Sequence, residues 1–277
     1  MILDQIVEST RRTLAEEKAS IPLASIEEAL RHQEPPRDLA GALQGQDISL
    51  IAEIKRASPS KGVLRRDLAA PSLARVYSEA GAAAVSVLTE SDYFQGAFAD
   101  LQAVRAELSL PLLCKDFVVD RYQVFKARAH GADAILLIVA ILTQSELRTL
   151  FETARSLGMT ALVEVHSREE LERALQISPR VVGINNRNLS DFSVDLSTTL
   201  GLLRVIPEGV TVVSESGIHT RADVIRLRSA GADAILVGEA LVTSHDPAAK
   251  IGELLGRNGH LDSVGSRESP RESRWYV

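Results

Sequence analysis

The sequence predicts a (β/α)8 barrel, and three observations carry that prediction. Three segments repeat one pattern: AGAAAVSVL (80–88), HGADAILLI (130–138) and AGADAILVG (230–238). In each, a glycine ends a helix, where the left-handed conformation is cheapest, and a short β-branched and Leu-rich run follows. Such runs read as strands buried on both faces. The glycines Gly81, Gly131 and Gly231 lie 50 and 100 residues apart, which suits a strand-plus-helix unit of about 25 residues used many times. Eight candidate strands and the helical patterns between them then fill the same register. A doubly wound open sheet is the alternative, but no GxGxxG follows the first strand.

Taken in order, residues 1–47 hold two helical patterns, LDQIVESTRRTLAEEKA and SIEEALRHQ. They are too short for a core of their own and are expected as a helical extension packed on a catalytic barrel of residues 48–257. Candidate strands begin near Leu50, Ala84, Pro111, Asp133, Thr160, Val181, Val210 and Ala234. Between them run SLARVYSEA, ADLQAVRAEL, QVFKARAH, SELRTLFETARSL, REELERALQ, STTLGLLRV and RADVIRLRSA, each with helical spacing of apolar residues. Thr143 and Ser167 stand where N-caps belong, just ahead of two of these helices. The polar, Ser/Arg-rich end (258–277), which contains Trp275 and Tyr276, is expected to be a disordered tail.

Composition narrows the function. The chain has 277 residues, 45% of them hydrophobic, and 31 basic against 37 acidic side chains give a formal charge of −6. Neither a basic surplus nor a basic run with interleaved aromatics points to nucleic acid. No stretch approaches the roughly 18 apolar residues needed to cross a bilayer; AILLIVAIL (134–142) fits a buried strand and its exit loop. The amino terminus lacks the apolar core of a signal peptide. The single Cys114 rules out an internal disulfide and any Cys-rich metal site. A cytoplasmic protein is expected, a monomer or weak homodimer, with no membrane, nucleic acid or metal among its partners.

The charged residues share one address. In such barrels the carboxyl ends of the strands face the site built by the βα loops. Strand one, in LIAEIKRASPSKG, ends in Glu53 and Lys55; strand three, PLLCKDF, in Lys115; strand five, TALVEVH, in Glu164. Strand six, VVGINNRNL, gives Asn185 and Arg187, and strand seven, TVVSESGI, gives Glu215 and Ser216. Alternation pairs Leu113 with Lys115, Leu162 with Glu164 and Val213 with Glu215, so apolar side chains fill the lower barrel and charges its upper layer. One Glu-Lys couple is readily a packing ion pair. Two lysines and three glutamates from four strands are not, because each is costly to desolvate. Cys114 faces the surrounding helices, His166 and His219 cap or line loops, and Asp116 either orients Lys115 or caps the next helix.

The opposite side of the mouth reads as a phosphate site. Such sites form from the loops after strands seven and eight and a helix amino terminus. These loops are SESGI (214–218) and VGEAL (237–241). Gly217 and Gly238 let main-chain amides approach an anion, and a helix starting near Glu239 adds its positive end. A phosphorylated small molecule is the expected substrate.

Taken together, AEIKRASPSKG, YFQGAF, LCKDFVVD, LVEVH, GINNRNL, SESGI and LVGEALV resemble the indole-3-glycerol phosphate synthase family. The resemblance covers residues 1–256, including the helical extension. It implies a carboxy-lyase of tryptophan biosynthesis acting on 1-(2-carboxyphenylamino)-1-deoxyribulose 5-phosphate, with no cofactor and no metal. By resemblance Lys115 donates a proton to the ketone during ring closure. Glu164 and Lys55 share the later dehydration, and which of them donates stays open; a Glu in an apolar mouth can have its pKa raised enough to act as an acid. Glu53, Asn185, Glu215 and Ser216 match further active-site positions. The resemblance also implies that the loop RASPSKG closes over the substrate with Ser58 and Lys61 near it, that Phe94 and Phe117 wall the anthranilate ring, and that Arg187 helps set the field. Where the family often has Ser after strand eight this chain has Glu239, which is expected to turn away from the phosphate. Another phosphosugar isomerase or an aldolase-type barrel with a Schiff-base lysine is the alternative, and a non-catalytic phosphate-binding barrel a second.

Overall fold

Eight parallel strands close into a barrel in the computed structural model, which describes residues 2–31, 33–189 and 191–257. The strands are β1 (Ser49–Ile54), β2 (Ala84–Leu88), β3 (Leu112–Lys115), β4 (Ala134–Ile138), β5 (Thr160–Val165), β6 (Val181–Asn185), β7 (Thr211–Glu215) and β8 (Ala234–Val237). Each pairs with its neighbours in chain order, and β1 closes the ring by pairing with both β2 and β8. Three strands, at Leu112, Ala134 and Thr211, begin one residue later than the sequence suggests, and for the first two the reason is visible in the side chains. Pro111 has no N–H to give a ladder. Asp133 turns its carboxylate onto Arg105, 2.6 Å away, and onto the Leu112 N–H at 2.8 Å.

Twelve helices are described: α1 (Ile2–Ser20), α2 (Leu23–Leu30), α3 (Leu39–Ala42), α4 (Ala70–Glu79), α5 (Phe98–Glu107), α6 (Arg121–Ala129), α7 (Gln144–Ser156), α8 (Arg168–Leu175), α9 (Ser197–Leu202), α10 (Arg221–Ser229), α11 (Glu239–Val242) and α12 (Pro247–Leu255). Their starts follow the capping chemistry. Thr143 accepts from the Glu146 N–H while Glu146 reaches back to the Thr143 N–H, a reciprocal cap on α7. Ser167 accepts from the Glu170 N–H and starts α8. The repeat glycines Gly81, Gly131 and Gly231 have φ of 98°, 90° and 103°, the positive values that the pattern required.

Two apolar layers result. Between barrel and helices lies the main core, which includes Val85, Val87, Cys114, Ile135, Val163 and Ile184. Inside the barrel, Ile51, Leu113, Leu162 and Val213 meet Leu39, Ala40 and Leu43, all fully buried. Those last three belong to α3 and the residue after it, so the extension plugs the barrel floor. Its first helix does something else. α1 and α2 lie along α6, where Leu14 and Ile26 pack on Tyr122 and Phe125, and Lys18 reaches Asp120 at 2.6 Å. From there Ile2, Leu3 and Ile6 border the barrel mouth. The extension is therefore anchored at both ends of the barrel rather than laid over one. The tail expected at 258–277, with Trp275 and Tyr276, lies outside the described residues.

Candidate active site

The strand register brings the charged residues to one level. Glu53 lies beside Ser86, Lys115 beside Leu88, Glu164 beside Gly183 and Ile138, and Glu215 beside Asn185 and Leu236. Their side chains converge. Lys115 Nζ stands 3.4 Å from Glu164 Oε2 and 3.7 Å from Glu215 Oε2. Lys55 Nζ stands 2.8 Å from Glu53 Oε1. The three carboxyl groups are almost wholly out of water, with Glu53 at 4% exposure and Glu164 and Glu215 at 2% each.

Burial and neighbours set the protons. Burial alone would pull Lys115 down, but the carboxylates of Glu164, Glu215 and Glu53 outweigh it and hold the ammonium above the ordinary lysine range. Burial would raise Glu164; Lys115, His166 and the Asn185 amide more than reverse this, and its carboxyl sits well below the carboxylate norm. Glu53 is likewise held down against burial by Lys55 and Lys115. Glu215 goes the other way, raised to about 8 by burial and by the charge on Glu164. The raised acid considered for Glu164 thus falls to Glu215, because Lys115 and His166 both lie against Glu164 while Glu215 Oε1 has no partner among the described residues.

Space for these carboxyls is left by two glycines. A Cβ on Gly183 would come within 2.1 Å of Glu215 Oε1, and one on Gly238 within 2.5 Å of Glu53 Oε1. Gly238 was expected to serve a phosphate through its amide; its bare Cα also seats Glu53. Asn185 turns its Oδ1 to the Arg187 N–H at 3.0 Å. Its neighbour Asn186 points the other way and ties β6 to β7, donating to Ser214 Oγ at 3.0 Å and to the Glu215 and Ser216 carbonyls. Ser216 is held at φ 67°, a left-handed conformation uncommon for a side-chain-bearing residue. It is followed by Gly217 at φ 77°.

Two aromatic rings meet at the mouth. The Phe94 and Phe117 rings stand 5.9 Å apart and tilted by 37°, and both line the cavity with Ser58 and Lys55. Glu90 places Phe94: its carboxylate accepts from the backbone N–H of Asp92, Tyr93 and Phe94 at 2.8–3.0 Å. The loop RASPSKG folds as a short antiparallel ribbon, Ala57–Ser58 against Gly62–Val63, with Lys61 at its tip.

Three side chains depart from expectation. Asp116 neither bonds Lys115 nor caps α6: it accepts from Thr89 Oγ1 and the Phe117 N–H, and the cap is Asp120. Glu239 does not turn away. It faces Lys61 Nζ at 3.7 Å and Arg187 Nη2 at 4.0 Å, because the two cations that meet there draw the carboxylate between them. The helix it starts, α11, is only one turn long and adds little helix dipole to this end of the mouth, where Lys61, Arg187, Gly217 and Gly238 line one cavity. His166 is no loop cap; its Nε2 lies 3.2 Å from Glu164 Oε1. Among the described residues no group of three or more His, Cys, Asp or Glu is arranged to hold a metal ion.

Comparison with known proteins places the chain in a family. The model of the indole-3-glycerol phosphate synthase family matches residues 3–254. The chain belongs to that family. Its members are enzymes, carboxy-lyases of tryptophan biosynthesis. An indole-3-glycerol phosphate synthase of Dehalococcoides mccartyi (strain CBDB1) is 49% identical over 259 residues, covering 92% of this chain and all of the relative. One from Mycobacterium sp. (strain KMS) is 47% identical, with 94% and 95% covered. Among solved structures, 3-hexulose-6-phosphate synthase from Salmonella typhimurium superposes with a TM-score of 0.62 at 12% identity, over 76% of this chain and 98% of that one. A mutant tryptophan synthase α-subunit from Pyrococcus furiosus gives 0.59 at 19%, over 77% and 100%. These two share the barrel fold.

Proposed function

We propose that this chain converts 1-(2-carboxyphenylamino)-1-deoxyribulose 5-phosphate to indole-3-glycerol phosphate, with Lys115 as the acid of ring closure. The observation that carries the reading is Lys115 held as an ammonium between Glu164 and Glu215, at 3.4 and 3.7 Å, on the apolar floor of the mouth. The ring carbon bearing the carboxylate attacks the ketone carbon, and the carbonyl oxygen takes a proton from Lys115. The carbon–carboxylate bond then breaks; its electron pair restores the aromatic ring, and carbon dioxide leaves. In the last step the new hydroxyl departs as water and the ring methylene beside nitrogen loses a proton.

Glu164 is the base of that last step. Lys115 and His166 keep its carboxyl ionised, which suits it to take a proton rather than give one. Lys55, 2.8 Å from Glu53, is left as the donor to the departing hydroxyl. Glu215, with its pKa near 8, holds a substrate hydroxyl in its protonated form, and Asn185 and Ser216 supply further polar contacts. Glu53 fixes Lys55 in place. Phe94 and Phe117 wall the aromatic ring, while Lys61, Arg187, Gly217 and Gly238 take the phosphate, with Ser58 on the covering loop. For the phosphate to enter, Glu239 gives up Lys61 and Arg187.

The chain works as a cytoplasmic monomer or weak homodimer without nucleic acid. No helix among the described residues is long and apolar enough to cross a membrane. The test is indole fluorescence on adding the carboxyphenylamino-deoxyribulose phosphate to the protein, beside Lys115→Ala. Wild type should form product, and the variant should be slower by about 10³-fold or more. No product from wild type overturns the reading; equal product from both moves the acid elsewhere.

A further inference from the structure

We propose that His166 is a positioning residue for Glu164: clamped between Glu164 and Glu170, it fixes which carboxylate oxygen faces the substrate and keeps that carboxylate ionised. The proposal rests on Glu164 acting as the base of dehydration.

The geometry is a row of three side chains leading out of the barrel. Glu164 Oε2 faces Lys115 across the mouth, and Oε1 faces His166 Nε2 at 3.2 Å. On the far side of the ring, His166 Nδ1 lies 3.1 Å from Glu170 Oε2, and the same oxygen accepts the His166 backbone N–H at 2.8 Å. Glu170 is itself fixed, since its N–H donates to the Ser167 cap at the start of α8. The imidazole therefore cannot rotate away without losing its Nδ1 contact with Glu170, whose carboxylate the His166 backbone N–H also holds. Burial works against a charged imidazole here, and the two carboxylates outweigh it, raising His166 to about 10. The ring sets its charge 3.2 Å from Oε1 without a well-aligned hydrogen bond, and Oε2, on the Lys115 side, is the oxygen turned to the reacting centre.

Lys115 stands against one oxygen of Glu164 and His166 against the other, so this carboxylate has a cation on each side. His166 occupies the border between two spaces. Inward lies the reaction cavity; outward lies a second cavity of about 890 Å³ that His166 and Glu170 both line. The other charged groups facing that cavity are Asp4, Glu8 and Arg11 of α1, Arg187 after β6, and Asp195. A neutral side chain at position 166 would remove the charge from one side of Glu164 and leave only Lys115 and the Asn185 amide to hold it.

The sign of the pH effect follows. Without the imidazolium, Glu164 keeps its proton to higher pH, so the ionised base disappears earlier on acidification. In His166→Ala, kcat at neutral pH should fall about tenfold or more from the misplaced base. The acid limb of its pH profile should move up by at least about one unit, a tenfold change in proton affinity. KM should stay within about twofold. In His166→Gln, an amide donor in place of the ring should restore part of kcat without restoring the acid limb. A variant that leaves the ring in place provides the second arm. In Glu170→Gln, His166 loses one of its two carboxylates, so the alkaline limb should move to lower pH. His166→Ala and Glu170→Gln profiles that both overlay wild type, with unchanged kcat, would overturn the proposal. If His166→Ala does not fold, the Glu170→Gln profile decides alone. Glu164→Gln separates the two claims: full activity in that variant sinks the role of Glu164 itself, whereas an inactive Glu164→Gln beside wild-type-like His166 and Glu170 variants sinks only the positioning role.

Discussion

At the floor of the barrel Ile51, Leu113, Leu162 and Val213 pack against Leu39 and Leu43. Two residues further along the same four strands, Glu53, Lys115, Glu164 and Glu215 stand in the mouth. The carboxylates among them are nearly as buried as the leucines, at 2–4% exposure against 0%. Burial stabilises the floor, where each large side chain contributes about 1.5–3 kcal/mol. In the mouth it works the other way, because every ion must be stripped of water and only its neighbours offset that. One fold thus holds a layer selected by packing directly below a layer that packing alone would not choose. The comparison assigns stability to the floor and chemistry to the mouth, and each half of that assignment can be broken separately.

Outside the charged groups themselves, the largest effect is expected where the two layers are joined by missing atoms. Gly183→Ala puts a Cβ 2.1 Å from Glu215 Oε1, so the carboxyl must move. Turnover measured by indole fluorescence should fall by about 10²-fold, the scale of a displacement near 1 Å, with a loss of stability of about 1–3 kcal/mol. An alanine tolerated without change would mean that Glu215 has another place to go. Next comes the floor itself. Leu39→Ala empties a fully buried site in the plug and should lower stability by about 2–5 kcal/mol in urea unfolding. Turnover per folded molecule should stay within about twofold; a mouth disturbed by a floor cavity would break the division. The smallest effect belongs to the loose edge of the mouth. Lys61 is more than half exposed and 3.7 Å from Glu239. In steady-state kinetics Lys61→Ala should raise KM about tenfold, a change of roughly 1.4 kcal/mol, and leave kcat nearly unaltered.

Much of this division is legible in the sequence. Period-two alternation on strands one, three, five and seven was enough to place apolar residues below and charges above, because a strand allows only two faces. The helix ends were legible for the same local reason, since Thr143, Ser167 and the repeat glycines act on their own neighbours. What escaped depends on residues brought together from far apart. His166 continues the inward face of Glu164, two residues on, but reading its role requires Glu170 on the next helix and the second carboxylate across the ring. Gly183 also falls on the inward face, two residues before Asn185; that it makes room for Glu215 follows only from the pairing of β6 with β7. Glu239 looked misplaced beside a phosphate, and its partners Lys61 and Arg187 come from loops after other strands. The two directions of shift on Glu164 and Glu215 were equally hidden, because both are glutamates at the carboxyl ends of buried strands and share the same cations; only the fold shows that these and the Asn185 amide lie closer to Glu164, whose charge then raises Glu215.

The central claim is that the mouth charges serve the reaction and not the fold, and Glu164→Gln tests it with two readings on one protein. The substitution keeps the shape and removes the charge, while Lys115 retains Glu215, free then to ionise, as its partner. Turnover and thermal midpoint should be measured together. The account predicts turnover lower by about 10²–10⁴-fold and a midpoint unchanged or raised. A midpoint several degrees lower with turnover largely kept would show that Glu164 is there to hold the barrel together.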